Sequence, residues 1–208
     1  MLVHVLQPLV IGMAALTPAP GGADALSHLT PTSADTVTYR IDVGHSELTF
    51  RIRHLMSRVN GTFNQWSGVI TAADPADWST GSVEVVIQSG SIDTRHEKRD
   101  SDLQSDSFFD AANHPTITFR STSVEVDGNA ITVTGNLTMR GITRPVVLTG
   151  EFLGRQGAGT PRERVGFSAS GTLDRTDFGI VWNRAAEGGG VLLGDEVELT
   201  LGIEAVRM

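Results

Sequence analysis

From Tyr39 onward, apolar and polar positions alternate along the chain. Leu48, Phe50 and Ile52 fall on one side, and Glu47, Thr49, Arg51 and Arg53 on the other. The same period of two recurs at Val83, Val85 and Ile87, at Ile117 and Phe119, and at Ile131, Val133, Leu137 and Met139. It returns at Val165, Phe167, Ala169 and Leu173, and at Val197, Leu199, Leu201 and Ile203 against Glu196, Glu198, Thr200 and Glu204. Such alternation predicts strands with one dry and one wet face. Strands of that kind pair antiparallel, because strands buried on both faces lose the alternation. Asp127-Gly128-Asn129 reads as a hairpin turn, and Arg140-Gly141-Ile142-Thr143-Arg144-Pro145 as a second one. Gly154 to Arg164 reads as a long polar hairpin loop.

Two segments carry helical signals. Thr94 and Glu97 have the spacing of a capping box, which predicts a helix from about Arg95 to Leu103 and a further turn around Ser105 to Asp110. Asp74-Pro75-Ala76-Asp77-Trp78 reads as a short capped turn with Pro75 at the first helical position. The chain is thus expected to be all-β, with about eight strands and one inserted helix. Two architectures fit, a filled sandwich and a barrel with a cavity. Gly135, Ala169 and Gly171 fall on the inward side. Small residues there would leave internal volume, or the glycines would mark bulges and bends that close the sheet.

Residues 1–38 have a different character. Leu2 to Leu16 is mostly apolar but too short to span a bilayer with ease, and small residues lead to Ala23-Asp24-Ala25. An apolar run before such a site is the pattern of an export signal, although no Lys or Arg supplies a basic start. The expected organisation is a signal peptide over 1–25, a linker over 26–38 and one domain over 39–208, with folding starting near Val37.

Composition removes several functions. The chain of 208 residues has no cysteine, which excludes disulfides, thiol catalysis and cysteine-held metal centres. A net charge of −8 disfavours nucleic acid as a partner. Four histidines lie in the folded region, His45, His54, His96 and His114. They sit on different segments without H-x-H or HExxH spacing, so no metal site is expected. Ser46 beside His45 lacks the strained elbow of a hydrolase and reads as a strand start. Gly188-Gly189-Gly190 could cradle a phosphate, but no helix start follows, and a plain loop is the better reading.

If the barrel encloses space, its lining is the inward set: Leu48, Phe50, Ile52, Val85, Ile87, Ile117, Phe119, Val133, Leu137, Met139, Phe167, Ala169, Leu199 and Leu201. An apolar cavity of this kind suits an apolar ligand. His54 shares the parity of Leu48 and should point inward at a strand end, where it would meet a ligand head group or bond to nearby backbone. Arg99 and Arg175 are two further candidates for head-group contact, since arginine holds phosphate bidentately. Both also read as structural, Arg99 with Asp100 tying the helix to the barrel, Arg175 with Asp177 as a rim ion pair.

The stretch Tyr39 to Phe50 (YRIDVGHSELTF), His54 and Val59-Asn-Gly-Thr-Phe resemble the opening of YceI-like proteins. Ser91-Ile-Asp-Thr, Arg99-Asp100, Leu103, Phe108-Phe-Asp and Pro115-Thr-Ile-Thr-Phe are similar to that family's central segment. Gly135-Asn-Leu-Thr-Met-Arg-Gly-Ile-Thr-Arg-Pro-Val, Gly166-Phe, Arg175-Thr-Asp-Phe-Gly-Ile and Gly194-Asp-Glu-Val are similar to its later part. The likeness runs in order over 39–208. It implies a lipocalin-like extended barrel of eight antiparallel strands with a helix, holding a long polyisoprenoid or related lipid, such as a quinone tail or polyprenyl phosphate. It also implies a periplasmic or secreted protein with no catalytic residues and no cofactor beyond bound lipid. Two other readings remain at this level, an enzyme acting on such a lipid with His54 as acid or base, and a cavity-free interaction sandwich.

Overall fold

The structure is a computed structural model that describes residues 36–185 and 189–208. The apolar run, Ala23-Asp24-Ala25 and most of the linker lie outside the described residues. The first strand, β1, spans Val37–Ile41, so the domain begins two residues before Tyr39. There follow β2 (Glu47–His54), β3 (Ser57–Phe63), β4 (Trp66–Asp74), β5 (Asp77–Gln88) and β6 (Ile92–Asp93). After α1 (Glu97–Gln104) come β7 (Thr116–Asp127), β8 (Ala130–Met139), β9 (Ile142–Gln156), β10 (Arg164–Asp174) and β11 (Leu193–Arg207).

All ladders are antiparallel, and pairing of β1 with β11 closes the sheet into a barrel. Three pairs of strands act as single bent staves, β1 with β2, β3 with β4, and β5 with β6, which gives a closed eight-stranded barrel with one helix. β11 shows how a bend is mended. Its Leu193–Gly202 stretch pairs with β2 and its end pairs with β1. At the break between them, Glu204 N–H donates to Ser46 Oγ (2.9 Å), and Ser46 Oγ donates to the Glu204 carbonyl (3.2 Å). The hydroxyl stands in for a missing strand partner, as every buried backbone group requires.

The turns follow their residues. Gly128-Asn129 joins β7 to β8, with Gly128 at φ 61°. Arg140 and Gly141 join β8 to β9, both left-handed at φ 51° and 72°, as a type I′ hairpin demands. Pro145 lies within β9, opposite Asn136, along a stretch of β9 that has no ladder to β10.

Two local expectations fail for physical reasons. The Asp74–Trp78 segment is not a helical turn. Asp74 pairs with Asp77 across a two-residue hairpin, and Trp78 is a buried strand residue. The helix is capped by His96, not Thr94. Thr94 is buried and its hydroxyl is already shared by Arg99 and Asp100, while Arg95 is left-handed at φ 63°, so α1 starts at Glu97. His96 Nδ1 accepts from Arg99 N–H at 3.3 Å. The further turn over 105–110 is present.

The barrel has two unlike ends. The lower end carries the turns at 75–76, 128–129 and 157–163. The upper end carries the β2–β3 turn, α1 and, of the chain between β10 and β11, residues 175–185 and 189–192. Apolar packing divides accordingly. One cluster gathers Tyr39, Ile41, Ile70, Ala72, Trp78, Ile131, Val165 and Ala205 low in the barrel. Another gathers Phe63, Ile87, Ile92, Ile117, Met139, Val146, Phe178 and Ile180 above it. Among the described residues no helix is long and apolar enough to cross a membrane.

Candidate functional site: an apolar cavity inside the barrel

Inside the barrel lies a cavity of about 650 Å³. That is within the usual range for a small-molecule site. Of the inward residues of its walls, Ile87, Ile117, Phe119 and Met139 are buried, but most are only half-buried, among them Leu48, Phe50, Val85, Val133, Leu137, Phe167, Ala169, Leu199 and Leu201. A filled core would remove them from solvent. Their remaining exposure faces the cavity, which decides for a barrel over a sandwich.

All fourteen apolar residues expected to line a cavity border this one. β2 supplies Leu48, Phe50 and Ile52, β5 Val85 and Ile87, and β7 Ile117 and Phe119. β8 supplies Val133, Leu137 and Met139, β10 Phe167 and Ala169, and β11 Leu199 and Leu201. The space does not come from Gly135 or Gly171. A Cβ on Gly135 would lie 2.4 Å from the Phe119 ring, and one on Gly171 2.9 Å from Leu148 Cδ2. Neighbouring side chains therefore cover both glycines, and only Ala169 of the three small inward residues borders the cavity.

Aromatic rings close the lower end. Trp78 lies 5.7 Å from Tyr39, 5.6 Å from Phe152 and 5.0 Å, edge-on, from Phe167. Such tilted and edge-on pairs are the favoured arrangements. Below them Glu163 is 1% exposed. It accepts from Tyr39 Oη (2.6 Å), Gly159 N–H (2.9 Å) and Arg207 Nη1 (3.2 Å), and it pairs with Arg155. Burial alone would raise the Glu163 carboxyl. The hydrogen bonds from Tyr39, Gly159 and Arg207, with the Arg155 charge, bring it below its ordinary value. Burial, and then the Glu163 contact, push the Tyr39 phenol up to about 12.

The upper end is built from loops and α1. Leu103 is the one apolar residue of α1, and it borders the cavity with Phe108 and Phe109. From the opposite side come Ile180, Trp182, Leu192 and Leu193. Phe108 and Trp182 meet across the top with ring centroids 5.2 Å apart. Polar groups collect here: His54, Thr94, Arg99, Asp102, Ser105 and Ser107.

The three candidate head-group residues reach the cavity wall in different conditions. Arg175 is buried and spends four of its five N–H groups, on the carbonyls of Gly194, Ile180 and Trp182 and on Asp195. It braces the chain crossing from β10 to β11; its partner is Asp195, not Asp177. Arg99 donates from Nε to Thr94 Oγ1 (2.6 Å) and from Nη2 to the Thr94 carbonyl (2.7 Å). With Asp100, which accepts from Thr94 N–H (2.8 Å), it clamps the start of α1 to the strand before it. Arg99 Nη1 has no protein partner among the described residues. His54, at the end of β2, also carries no side-chain hydrogen bond among them.

A set of possible metal ligands does converge elsewhere, at Asp42, His45 and Glu204. Arg164 Nη1 bonds both carboxylates, and it holds Asp42 below the ordinary carboxylate range together with His45. A guanidinium at the centre makes this an ion-pair network. Of the glycine run, Gly188 lies outside the described residues.

A closed antiparallel barrel with an apolar interior, a plugged floor and a loop-covered top belongs to the cavity-enclosing class of β-barrels. The model of the YceI-like domain matches residues 39–205, and the chain belongs to that family. It is 37% identical over 181 residues to a UPF0312 protein of Pseudomonas paraeruginosa, covering 86% of this chain and 91% of the relative. The crystal structure of Burkholderia cenocepacia BcnA superposes with a TM-score of 0.69 at 23% identity, over 79% of this chain and 98% of that one. A polyisoprenoid binding domain from Saccharophagus degradans, implicated in plant cell wall breakdown, superposes with a TM-score of 0.59 at 15% identity, over 82% of this chain and 98% of that one. Both structural likenesses concern the fold.

Proposed function

We propose that the protein is a non-catalytic carrier of an isoprenoid lipid, held tail-down in the barrel with its head group near Arg99 and His54. The observation that carries this reading is the open apolar cavity, most of whose inward wall is only half-buried. Each methylene moved from water into such a wall gains about 0.8 kcal/mol, so a long tail binds tightly without any chemistry. The naming of a structural neighbour as polyisoprenoid-binding points the same way. The polar groups at the upper end favour binding over catalysis. Arg175 and most of Arg99 are occupied by structural bonds, and among the described residues His54 has no orienting side-chain partner of the kind a general base needs. The apolar run before Ala23-Asp24-Ala25 supports export to the periplasm or medium, with cleavage after Ala25.

Lipid extraction and mass spectrometry of protein purified from its native host test the carrier reading. A stoichiometric single-chain lipid is expected. Conversion of that lipid by the purified protein would instead make it an enzyme, and a protein that neither retains nor takes up lipid would end the reading. N-terminal sequencing of the same sample is expected to start at Leu26.

A further inference from the structure

The upper end of the barrel carries apolar side chains that face water instead of the cavity. β2 and β3 are joined by a two-residue hairpin, Leu55-Met56, between the paired His54 and Ser57. Leu55 is exposed and Met56 entirely so. Val181 and Val191, on the chain between β10 and β11, are exposed as well. The two segments are tied together. Leu55 N–H donates to the Leu192 carbonyl (2.8 Å), Leu192 N–H to the Arg184 carbonyl (2.9 Å), and Asn183 Nδ2 to the Leu193 carbonyl (2.8 Å). Clustered apolar exposure of this kind marks a contact surface. We propose that this tip docks the mouth of the barrel onto a lipid bilayer bearing anionic head groups. The proposal rests on the lipid-carrier reading for its purpose, and adds the surface on which lipid is exchanged.

Three observations support it. The first is that the turn does not ask for these residues. Leu55 sits at φ 52°, left-handed backbone for which Gly, Asn or Asp is the low-cost choice. Neither Leu55 nor Met56 packs into an apolar cluster of the barrel. Turn chemistry and core packing therefore leave both side chains unexplained. The second is position. Leu55 follows His54, Val181 precedes Trp182 and Val191 precedes Leu192, and all three of those neighbours border the cavity. With the tip in a bilayer, apolar surface runs from the acyl chains to the cavity wall.

The third is charge. Residues 53–58 and 181–193 hold Arg53, Arg58 and Arg184 against one acidic residue, Glu187, in a chain of net charge −8. Arg58 pairs with Glu198, whereas Arg53 and Arg184 are exposed and have no ionic partner among the described residues. Across the mouth, α1 carries Glu97, Asp100 and Asp102 against Lys98 and Arg99. The rim is thus positive on the side of the apolar tip, and the barrel rests on the membrane tilted toward that side. A stable protein interface takes about 20–30 residues a side, far more than this tip presents. A bilayer asks only for apolar tips and nearby cations.

Sedimentation with sucrose-loaded vesicles tests the proposal, using the protein as purified from its native host. The vesicles are phosphatidylcholine alone, or with about one third phosphatidylglycerol. Binding to the anionic vesicles is expected to be about tenfold stronger or more, and to fall several-fold in ~0.5 M salt. The double variant Leu55→Asn, Met56→Gly installs the residues that a two-residue hairpin prefers, so its melting temperature should hold or rise. Its binding to vesicles should nevertheless fall about tenfold or more. Arg184→Gln should weaken anionic binding about fivefold. Leu153→Ser removes an exposed apolar side chain near the lower end and should change binding by less than about twofold. If the double variant does not fold, Met56→Asp at the fully exposed position takes its place. A tip variant that binds as well as the wild type, an equal loss in Leu153→Ser, or equal binding to both vesicles would overturn the proposal. So would a dimer that the double variant breaks into monomers, since the tip would then meet a second copy. A wild type that stays off both vesicles would overturn the docking surface, while lipid recovered by extraction would keep the carrier reading standing. Absence of any retained or acquired lipid would remove the carrier reading whatever the vesicles show.

Discussion

The two ends of the barrel use the same period-two strands to opposite effect. At the lower end the inward side chains vanish from solvent: Tyr39, Ala72 and Ala205 are 0% exposed and Val165 1%. Rings interlock there, and a buried carboxylate is satisfied from several directions. Halfway up, inward leucines and valines of equal hydrophobicity stay half-exposed, because nothing crosses the barrel to cover them. At the top the covering is made of loops and a helix with one apolar residue. Close packing is therefore kept to the lower floor and to the upper cluster around Phe178 and Ile180, and much of the cavity wall between them is left free of the packing that would fill it.

The sharpest break of this contrast is Glu163→Leu. It removes the acceptor from a phenol that has no water to turn to, and it leaves Arg155 and Arg207 without their counter-charge. Breaking a buried pair from one side costs about 3–5 kcal/mol, which for a domain of this size lowers the melting temperature by roughly 10 °C. Denaturant melts measure it. A loss under about 1 kcal/mol would show that this network does not hold the floor together. The same network sets a pH window. Glu163 titrates below its ordinary value in the folded protein, so its contribution is complete above ~4.3 and is lost as the pH falls through the lowered value. Tyr39 titrates at about 12 when folded, so its contribution is complete below ~10 and is lost as the pH rises toward that value. Glu163→Leu should flatten the acid limb of the wild-type stability curve.

The wall is broken by Leu199→Asp and left intact by Thr200→Asp. Leu199 faces the cavity and Thr200 the exterior. A carboxylate beside an apolar tail should weaken lipid binding about a hundredfold, roughly 3 kcal/mol. The folded state should lose only about 1–2 kcal/mol, because the apo cavity already admits water. Thr200→Asp should change either quantity by less than about 0.5 kcal/mol. Equal loss of stability and binding in both variants would mean that the inward and outward faces are wrongly assigned.

This wall is the part that the sequence reveals. The fourteen apolar residues that alternation turned inward all border the cavity, because a strand has only two faces and a one-residue slip would expose the whole set. The ends are less legible. Trp78 was hidden beside Pro75, whose helix-starting geometry also suits a tight hairpin. Glu163 sits in Arg162-Glu163-Arg164, a charge run that looks solvated until the hairpin folds it over Tyr39. Thr94 carries a capping signal that tertiary contacts with Arg99 and Asp100 override. Leu103, Phe108, Phe109, Trp182 and Leu192 lie outside any strand, so no periodicity marks them. The signal available was weaker, isolated apolar residues in polar stretches such as Leu103 in EKRDSDLQ. Alternation registers faces, while plugs and covers depend on contacts made far along the chain.

The smallest expected effect belongs to the top. Phe108 and Trp182 touch across the cavity with centroids 5.2 Å apart, and Phe108 is tied to the barrel through its carbonyl, which accepts from Arg140 Nη1 (2.6 Å). Phe108→Ala keeps that backbone bond and removes the ring contact. An aromatic pair of this kind is worth about 0.5–1.5 kcal/mol, so the melting temperature should fall by no more than about 5 °C. If the pair closes over a bound tail, its loss speeds release. The dissociation rate of a C20 prenyl alcohol should rise by about three- to tenfold, the kinetic equivalent of the same energy. Stopped-flow displacement measures the rate. An unchanged dissociation rate would mean that the tail leaves by another route, and the stretch below Glu84 and Arg120, where β5 and β7 have no ladder, would then be the wall to close next.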